Sequence, residues 1–193
     1  GFVLQSERTG FAQIYLYDLE GKLIRNLTEG DQPVVDFYGY DEKTQRCYYA
    51  AKDGSPLHTA VFVRDEKGNT TTVSYDANDN KIGTSVTAKN ADGTTTTTNY
   101  DANDKQFSSK TVNEQGKVLS ESQKLDDGST KTINYDENGN QTGYSITTET
   151  EKGAKVVDYD VNGKKIGSSD VLANQDGTLT VTSYDENNKK VSE

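Results

Sequence analysis

Tyr135-Asp136-Glu137-Asn138-Gly139-Asn140 is one of five versions of the same short phrase. The others begin at Tyr75-Asp76, Tyr100-Asp101, Tyr159-Asp160 and Tyr184-Asp185, and each has an Asn two residues after its Asp. Asn and Gly tolerate positive φ, and an Asp carboxylate bonds the backbone two residues on, so the phrase reads as a tight turn. Seven residues after the Tyr stand Ile82, Phe107, Ile166 and Val191; the remaining copy has Thr142, with Tyr144 two further on. That spacing predicts a β-hairpin whose Tyr and +7 residue form a cross-strand pair on one face.

Working outward, turn clusters run from Asn78-Asp79 through Asp92-Gly93, Asn103-Asp104, Gln115-Gly116, Asp127-Gly128, Asn138-Gly139, Lys152-Gly153, Asn162-Gly163 and Asp176-Gly177 to Asn187-Asn188. Between them Val73 and Tyr75, Ile133 and Tyr135, and Val157 and Tyr159 share a parity, while Thr, Ser, Asn and Lys fill the other. Ten turns imply about eleven strands of roughly 5–8 residues in an antiparallel meander. Leu179 and Val181 break the parity, which predicts a bulge or an irregular final strand. The Thr94–Thr98 run, β-branched and flanked by turns, reads as strand in preference to disorder.

Composition limits what such a meander can enclose. Only 31% of the 193 residues are apolar, and Met and Trp are absent. Residues 1–68 hold 23 Val, Ile, Leu, Phe or Tyr, whereas the much longer stretch 69–193 holds 25. The first part can bury a nucleus. The second suits a twisted, largely single-layer, elongated sheet, wet over both faces, in which Tyr rings and the stems of Lys and Glu cover one another. The expected fold is therefore all-β, with domains 1–68 and 69–193.

The first part has a different grammar. Dense aromatic runs at Ile14–Tyr17, Lys22–Arg25, Val34–Tyr38, Arg46–Tyr49 and Ala60–Val63 read as strands. Asp18–Gly21, Thr28–Asp31 and Lys52–Pro56 read as the turns between them.

Several phrases fall here in order: Ser6-Glu7-Arg8-Thr9-Gly10-Phe11, Ile14-Tyr15-Leu16-Tyr17-Asp18, Leu27-Thr28-Glu29-Gly30, Val35-Asp36-Phe37-Tyr38-Gly39-Tyr40-Asp41 and Ser55-Pro56-Leu57. The series resembles late blades of the N-terminal β-propeller domain of dipeptidyl peptidase IV-like serine peptidases, especially bacterial ones. The resemblance covers residues 4–68 and implies one to one and a half blades of a propeller, which needs several to close. The family's Gly-x-Ser-x-Gly nucleophile turn and its paired glutamates have no counterpart in this sequence, so no catalytic or substrate-binding position carries over. Residues 69–193 are similar to the Tyr-Asp repeats of large bacterial wall-associated and toxin-delivery proteins. They are similar also to small exported proteins of gut Bacteroidetes without known activity.

Charge and chemistry narrow the function. The net charge is −10 with no basic stripe, which argues against nucleic acid and anionic lipid as partners. No apolar run is long enough to span a bilayer as a helix. His58 is the sole histidine and Cys47 the sole thiol; the first reads as a loop residue, the second as a small buried apolar one. Asp136–Asn140 and Asp76–Asn80 offer oxygens at alternate positions as calcium loops do. Gln141 and Lys81 stand where such loops need Gly, and Thr147 and Thr87 where they need Glu, so turn chemistry is the preferred reading. The acidic pairs Asp126-Asp127 and Asp41-Glu42 fall in turns. Neither a metal nor a cofactor is expected.

What remains is recognition. Tyr75, Tyr100, Tyr135, Tyr159 and Tyr184 form a candidate interaction face, either a ladder for a partner or sugars, or rings covering their cross-strand neighbours. A free sheet edge could pair with a peptide, a protein partner or a second copy. The expected function is a non-catalytic, exported β-scaffold or interaction module. The alternatives are an accessory peptide-binding piece related to a peptidase propeller and a glycan-binding module. A chain opening at Gly1 is consistent with a targeting segment already removed.

Overall fold

The computed structural model of the protein describes residues 1–28, 32–52 and 59–193. These residues form seventeen strands and no helix. The expected turns at Thr28–Asp31 and Lys52–Pro56, together with Ser55-Pro56-Leu57 and His58, lie wholly or partly outside the described residues. No described helix is long and apolar enough to cross a membrane.

The first of two compact units comprises residues 1–91 and 97–106. It opens with β1 (Phe2–Ser6), β2 (Gln13–Tyr17) and β3 (Leu23–Asn26), an antiparallel sheet in chain order. A second sheet then starts with β4 (Val34–Asp41), β5 (Arg46–Lys52), β6 (Thr59–Arg64), β7 (Thr70–Tyr75), β8 (Lys81–Lys89) and β9 (Thr95–Asp101). The expected strands of residues 1–68 are all present; β1 is an addition.

β2 is buried along its whole length, Gln13 to Tyr17. Ile14, Leu16, Leu27, Val34, Cys47, Tyr49 and Ala51 make one apolar cluster, with Val3, Tyr40 and Phe62 packed on it. Burying polar groups in such a place requires partners for them. Thr28 supplies two: its hydroxyl accepts the Ile14 N–H at 2.9 Å and donates to Gln13 Oε1 at 2.9 Å. The Val34 N–H, donating to the Ala12 carbonyl at 2.8 Å, ties the start of β4 to the same place.

The second unit, residues 92–96 and 107–193, carries β10 (Gln106–Val112), β11 (Val118–Lys124), β12 (Thr130–Tyr135), β13 (Gln141–Thr150), β14 (Gly153–Tyr159), β15 (Lys165–Ala173), β16 (Leu179–Asp185) and β17 (Lys190–Ser192). Strand order in the larger sheet follows the chain from β4 to β17, fourteen strands in an antiparallel meander that does not close. Eleven strands therefore follow Gly68, and all ten expected turns separate them. Strand length ranges wider than expected, from three residues in β17 to ten in β13.

Every buried apolar side chain among the described residues lies between Ile14 and Ala60. Beyond that, strands are half-buried at successive positions, as in β7 and β9. A sheet packed on one side would alternate buried with exposed; from β7 onward the strands of this sheet form a single layer with both faces wet. The parity break at Leu179 and Val181 has the same origin. β16 pairs with β15 without a register shift, and both side chains stand exposed on a sheet with no dry side to insist on parity. No bulge falls at Leu179 or Val181; the register shift against the short β17, between Ser183 and Tyr184, is the one that recurs at the Tyr-Asp turns.

Candidate functional site

The Tyr-Asp turns share one geometry. In each, the Asp N–H donates to the carbonyl four residues on, and the N–H three residues on returns to the Asp carbonyl. The residue closing this three-residue loop has positive φ: Asp79, Asp104, Gly139, Gly163 and Asn188. This is a type I turn followed by a left-handed residue. Asp Oδ1 then accepts the N–H groups two and four residues on, at 2.8 and 2.9 Å for Asp76 and at 2.8 Å for both in Asp136. The carboxylate of Asp136 is held below its ordinary range, first by Asn140.

The loop fixes the register, and it corrects one expectation. Tyr75 pairs with Lys81, Tyr135 with Gln141, Tyr159 with Lys165 and Tyr184 with Lys190, each six residues on. The +7 residue is the extra residue of a β-bulge, so Ile82, Thr142, Ile166 and Val191 are not the partners of their tyrosines. Ile82, Ile166 and Val191 are exposed instead. One place further, Gly83 and Gly143 lie against the next repeat. A Cβ on either would stand 2.5 Å from the carbonyl oxygen of Tyr100 or Tyr159.

The five tyrosines do not make a single series. In the first unit Tyr75 and Tyr100 sit on β7 and β9, with β8 between them; in the second, Tyr135, Tyr159 and Tyr184 sit on β12, β14 and β16. From Tyr100 to Tyr135 the chain runs three strands instead of two, and the repeat loses phase. In the second unit each ring or hydroxyl engages the strand before its own. The Tyr135 hydroxyl donates to Glu121 at 3.3 Å, and Glu121 pairs with Lys110 at 3.0 Å. Tyr159 stacks on Tyr144, centroids 4.8 Å apart, with the Lys131 ammonium 4.4 Å over the Tyr144 ring. The Tyr184 hydroxyl, hydrogen-bonded to Asp170, titrates above its ordinary value for that reason first. In the second unit these three tyrosines thus engage residues of the neighbouring strand.

Repeats are also stitched to one another. Lys81 reaches Asp104 at 2.5 Å, and Lys165 reaches Asn188 Oδ1 at 2.5 Å. In both cases a lysine six residues after one Tyr holds the left-handed residue of the next turn.

The acidic pairs serve turns as well. Asp41 accepts the Thr44 hydroxyl at 2.7 Å, and Asp127 the Ser129 hydroxyl at 2.6 Å. In the calcium-like loops both Asp136 oxygens accept N–H groups, Oδ2 from Asn140 Nδ2 at 3.1 Å. Among the described residues no three His, Cys, Asp or Glu side chains converge as a metal site. Cys47 is buried, and burial pushes its thiol up to about 11. Nucleophilic chemistry needs a thiolate near neutral pH, so the environment of this thiol disfavours it.

Open edges occur in the first unit. β1 and β3 border the small sheet, and β4 ends the large one. Phe2 and Leu4 on β1 are exposed, as are Leu23 and Ile24 on β3 and Val35, Phe37 and Tyr38 on β4. β4 is bulged twice against β5, whereas β1 pairs with β2 residue for residue. On β2, beside β1, the Arg8 guanidinium lies 4.2 Å over the Tyr15 ring and bonds the Tyr17 hydroxyl. Sequence reasoning did not single out these edges, because exposure on an edge depends on which strand lies beside it.

The family described as the dipeptidyl peptidase IV (DPP IV) N-terminal region matches residues 1–106. The match runs past Gly68 and ends at the residue where the first compact unit ends. It includes the Leu27-Thr28 pair that closes the core over β2 and the Arg8 that caps its tyrosines. With more than half of its length matched, the chain belongs to the DPP IV N-terminal region family, of whose propeller it carries a fragment.

Proposed function

We propose that this chain is a non-catalytic interaction module, carried out of the cytoplasm, that pairs an extended polypeptide with an open edge of its N-terminal unit. The observation that carries the reading is β1: a straight edge strand, regularly paired on one side, with Phe2 and Leu4 exposed. Strand addition takes affinity from main-chain hydrogen bonds and specificity from alternate side chains. The bulges of β4 work against addition there.

Calorimetric titration with extended peptides of alternating apolar sequence tests it. Binding should vanish when alternate peptide nitrogens are methylated, and should weaken in Leu4→Lys. Equal binding of methylated and unmethylated peptides would end the edge-pairing reading. Proline-specific dipeptide substrates should show no turnover; turnover would remove the non-catalytic part.

The family match favours a second reading, a peptide-positioning accessory of a peptidase that grips through the aromatic residues of the first unit. Binding that survives N-methylation but is lost in Tyr38→Ala or Phe37→Ala would favour it over edge pairing.

A further inference from the structure

The turn between β1 and β2 sends a cation back over the sheet it has just left. Arg8 is exposed, yet its guanidinium lies 4.2 Å over the Tyr15 ring and 5.5 Å from the centre of the Tyr17 ring. It also donates to the Tyr17 hydroxyl. Both tyrosines are buried, and Phe2 stacks on Tyr17 with centroids 5.3 Å apart, so the surface under the guanidinium is fixed. A guanidinium has five N–H donors; the bond to Tyr17 uses one. No carboxylate among the described residues pairs with it, that of its neighbour Glu7 included.

Register places this cation beside the open edge. Phe2 pairs with Tyr17 and Leu4 with Tyr15, so these four side chains share one face of the small sheet. Phe2 and Leu4 are its exposed pair. A strand added to β1 projects every second side chain over that face, about 10 Å from β2, or two strand spacings. A side chain there meets Leu4 first and the Arg8 guanidinium beyond it. The chain carries a net charge of −10, and most of such a surface repels an acidic polypeptide. Arg8 attracts one at a single place on the edge.

We propose that Arg8 is a specificity-determining residue of β1: it selects an extended polypeptide that places an Asp or Glu over the face of Leu4, and binds the carboxylate as a planar fork. The inference rests on edge pairing at β1 and names what the paired polypeptide carries. Main-chain bonds hold any extended segment; the fork distinguishes among them.

Calorimetric titration of the full chain tests it with two extended peptides of the same alternating apolar sequence, differing only in a central Glu or Gln. The Glu peptide should bind about threefold to fivefold tighter at low salt, the upper range for an exposed ion pair. The preference should shrink at high salt. Arg8→Gln should lower the Glu peptide to the affinity of the Gln peptide and leave the latter unchanged, which a merely structural role of Arg8 would not do. Arg8→Lys keeps the charge without the fork and should retain only part of the preference; it decides the matter if Arg8→Gln loses its native amide spectrum. Equal binding of the two peptides, where the Gln peptide still weakens on N-methylation, would overturn the role of Arg8 and leave edge pairing standing. No binding by either would overturn both. An undiminished Glu preference in Arg8→Lys, or tighter binding of a peptide with a central Phe, would also overturn the assignment.

Discussion

The strands around β2 and the strands of the Tyr-Asp repeats are held by different forces. β2 is covered on both faces, and its neighbours contribute one compact apolar cluster. The repeat strands bury no apolar side chain; turn carboxylates, paired hydroxyls and stacked rings hold them, as in the Thr87–Thr97 contact at 2.9 Å. Removing apolar area is cooperative and concentrates stability in a few residues. Turn chemistry and cross-strand pairs contribute small amounts at many places.

The sharpest way to break that contrast is to cut one side chain in each region. Leu27→Ala should cost about 2–5 kcal/mol, the range for emptying a closed apolar site. Ile133→Ala, on a half-exposed repeat strand, should cost roughly 1 kcal/mol or less, since only part of its surface leaves water. Urea denaturation of both variants checks the pair, and equal losses would dissolve the distinction.

Glycines test the repeat sheet where it is least tolerant. Gly143→Ala drives a methyl group into the Tyr159 carbonyl and should cost about 1–3 kcal/mol. Gly116→Ser, in a turn with open space around it, meets no such wall and pays only for its left-handed backbone.

Thr28→Val keeps the shape of the core and removes its polar closure. The Ile14 N–H and Gln13 Oε1 each lose their bond to the Thr28 hydroxyl, which should cost about 1–3 kcal/mol. Cys47 reports the outcome without a global measurement. Its thiol, pushed up to about 11, should resist alkylation at pH 8 in the parent chain and react faster in Thr28→Val. Equal rates would show that the core does not open through this bond.

The smallest effects are spread over the turns. Asp92, Asp127, Asp136 and Asp176 have carboxyls held below their ordinary values, first by Asn, Ser or Thr side chains and then by backbone N–H groups. A lowered native value means that the stabilisation is present above the unfolded-state value and is lost as pH falls through the native one. Thermal midpoints should therefore hold from pH 7 to 5 and drop below about pH 4. A midpoint that rises on acidification would contradict the assignment of these carboxylates to turn closure.

Much of this was readable in the sequence, for a physical reason. A turn needs particular residues at fixed offsets, so Asn162-Gly163 or Asp127-Gly128 announces itself, and ten such signals place eleven strands. Pairing does not announce itself as clearly. Ile166 at +7 looked like the partner of Tyr159, but the left-handed residue closes the loop one step sooner and Lys165 takes the position. Gly83 and Gly143 carried a readable signal, recurring eight residues after a Tyr, but their reason lies in a carbonyl of a strand still to come. The edges of the first unit were out of reach, because they depend on which strands lie beside one another.

The lysine stitch between successive turns has a bearing on how such a chain can change over generations. Each stitch spans one two-strand step and requires nothing from more distant copies, so stability adds up by neighbours as in a one-dimensional array. Duplicating or deleting a whole step would disturb a single junction and leave the others as they were. Copy number is therefore free to drift in a way that the tightly closed N-terminal nucleus forbids.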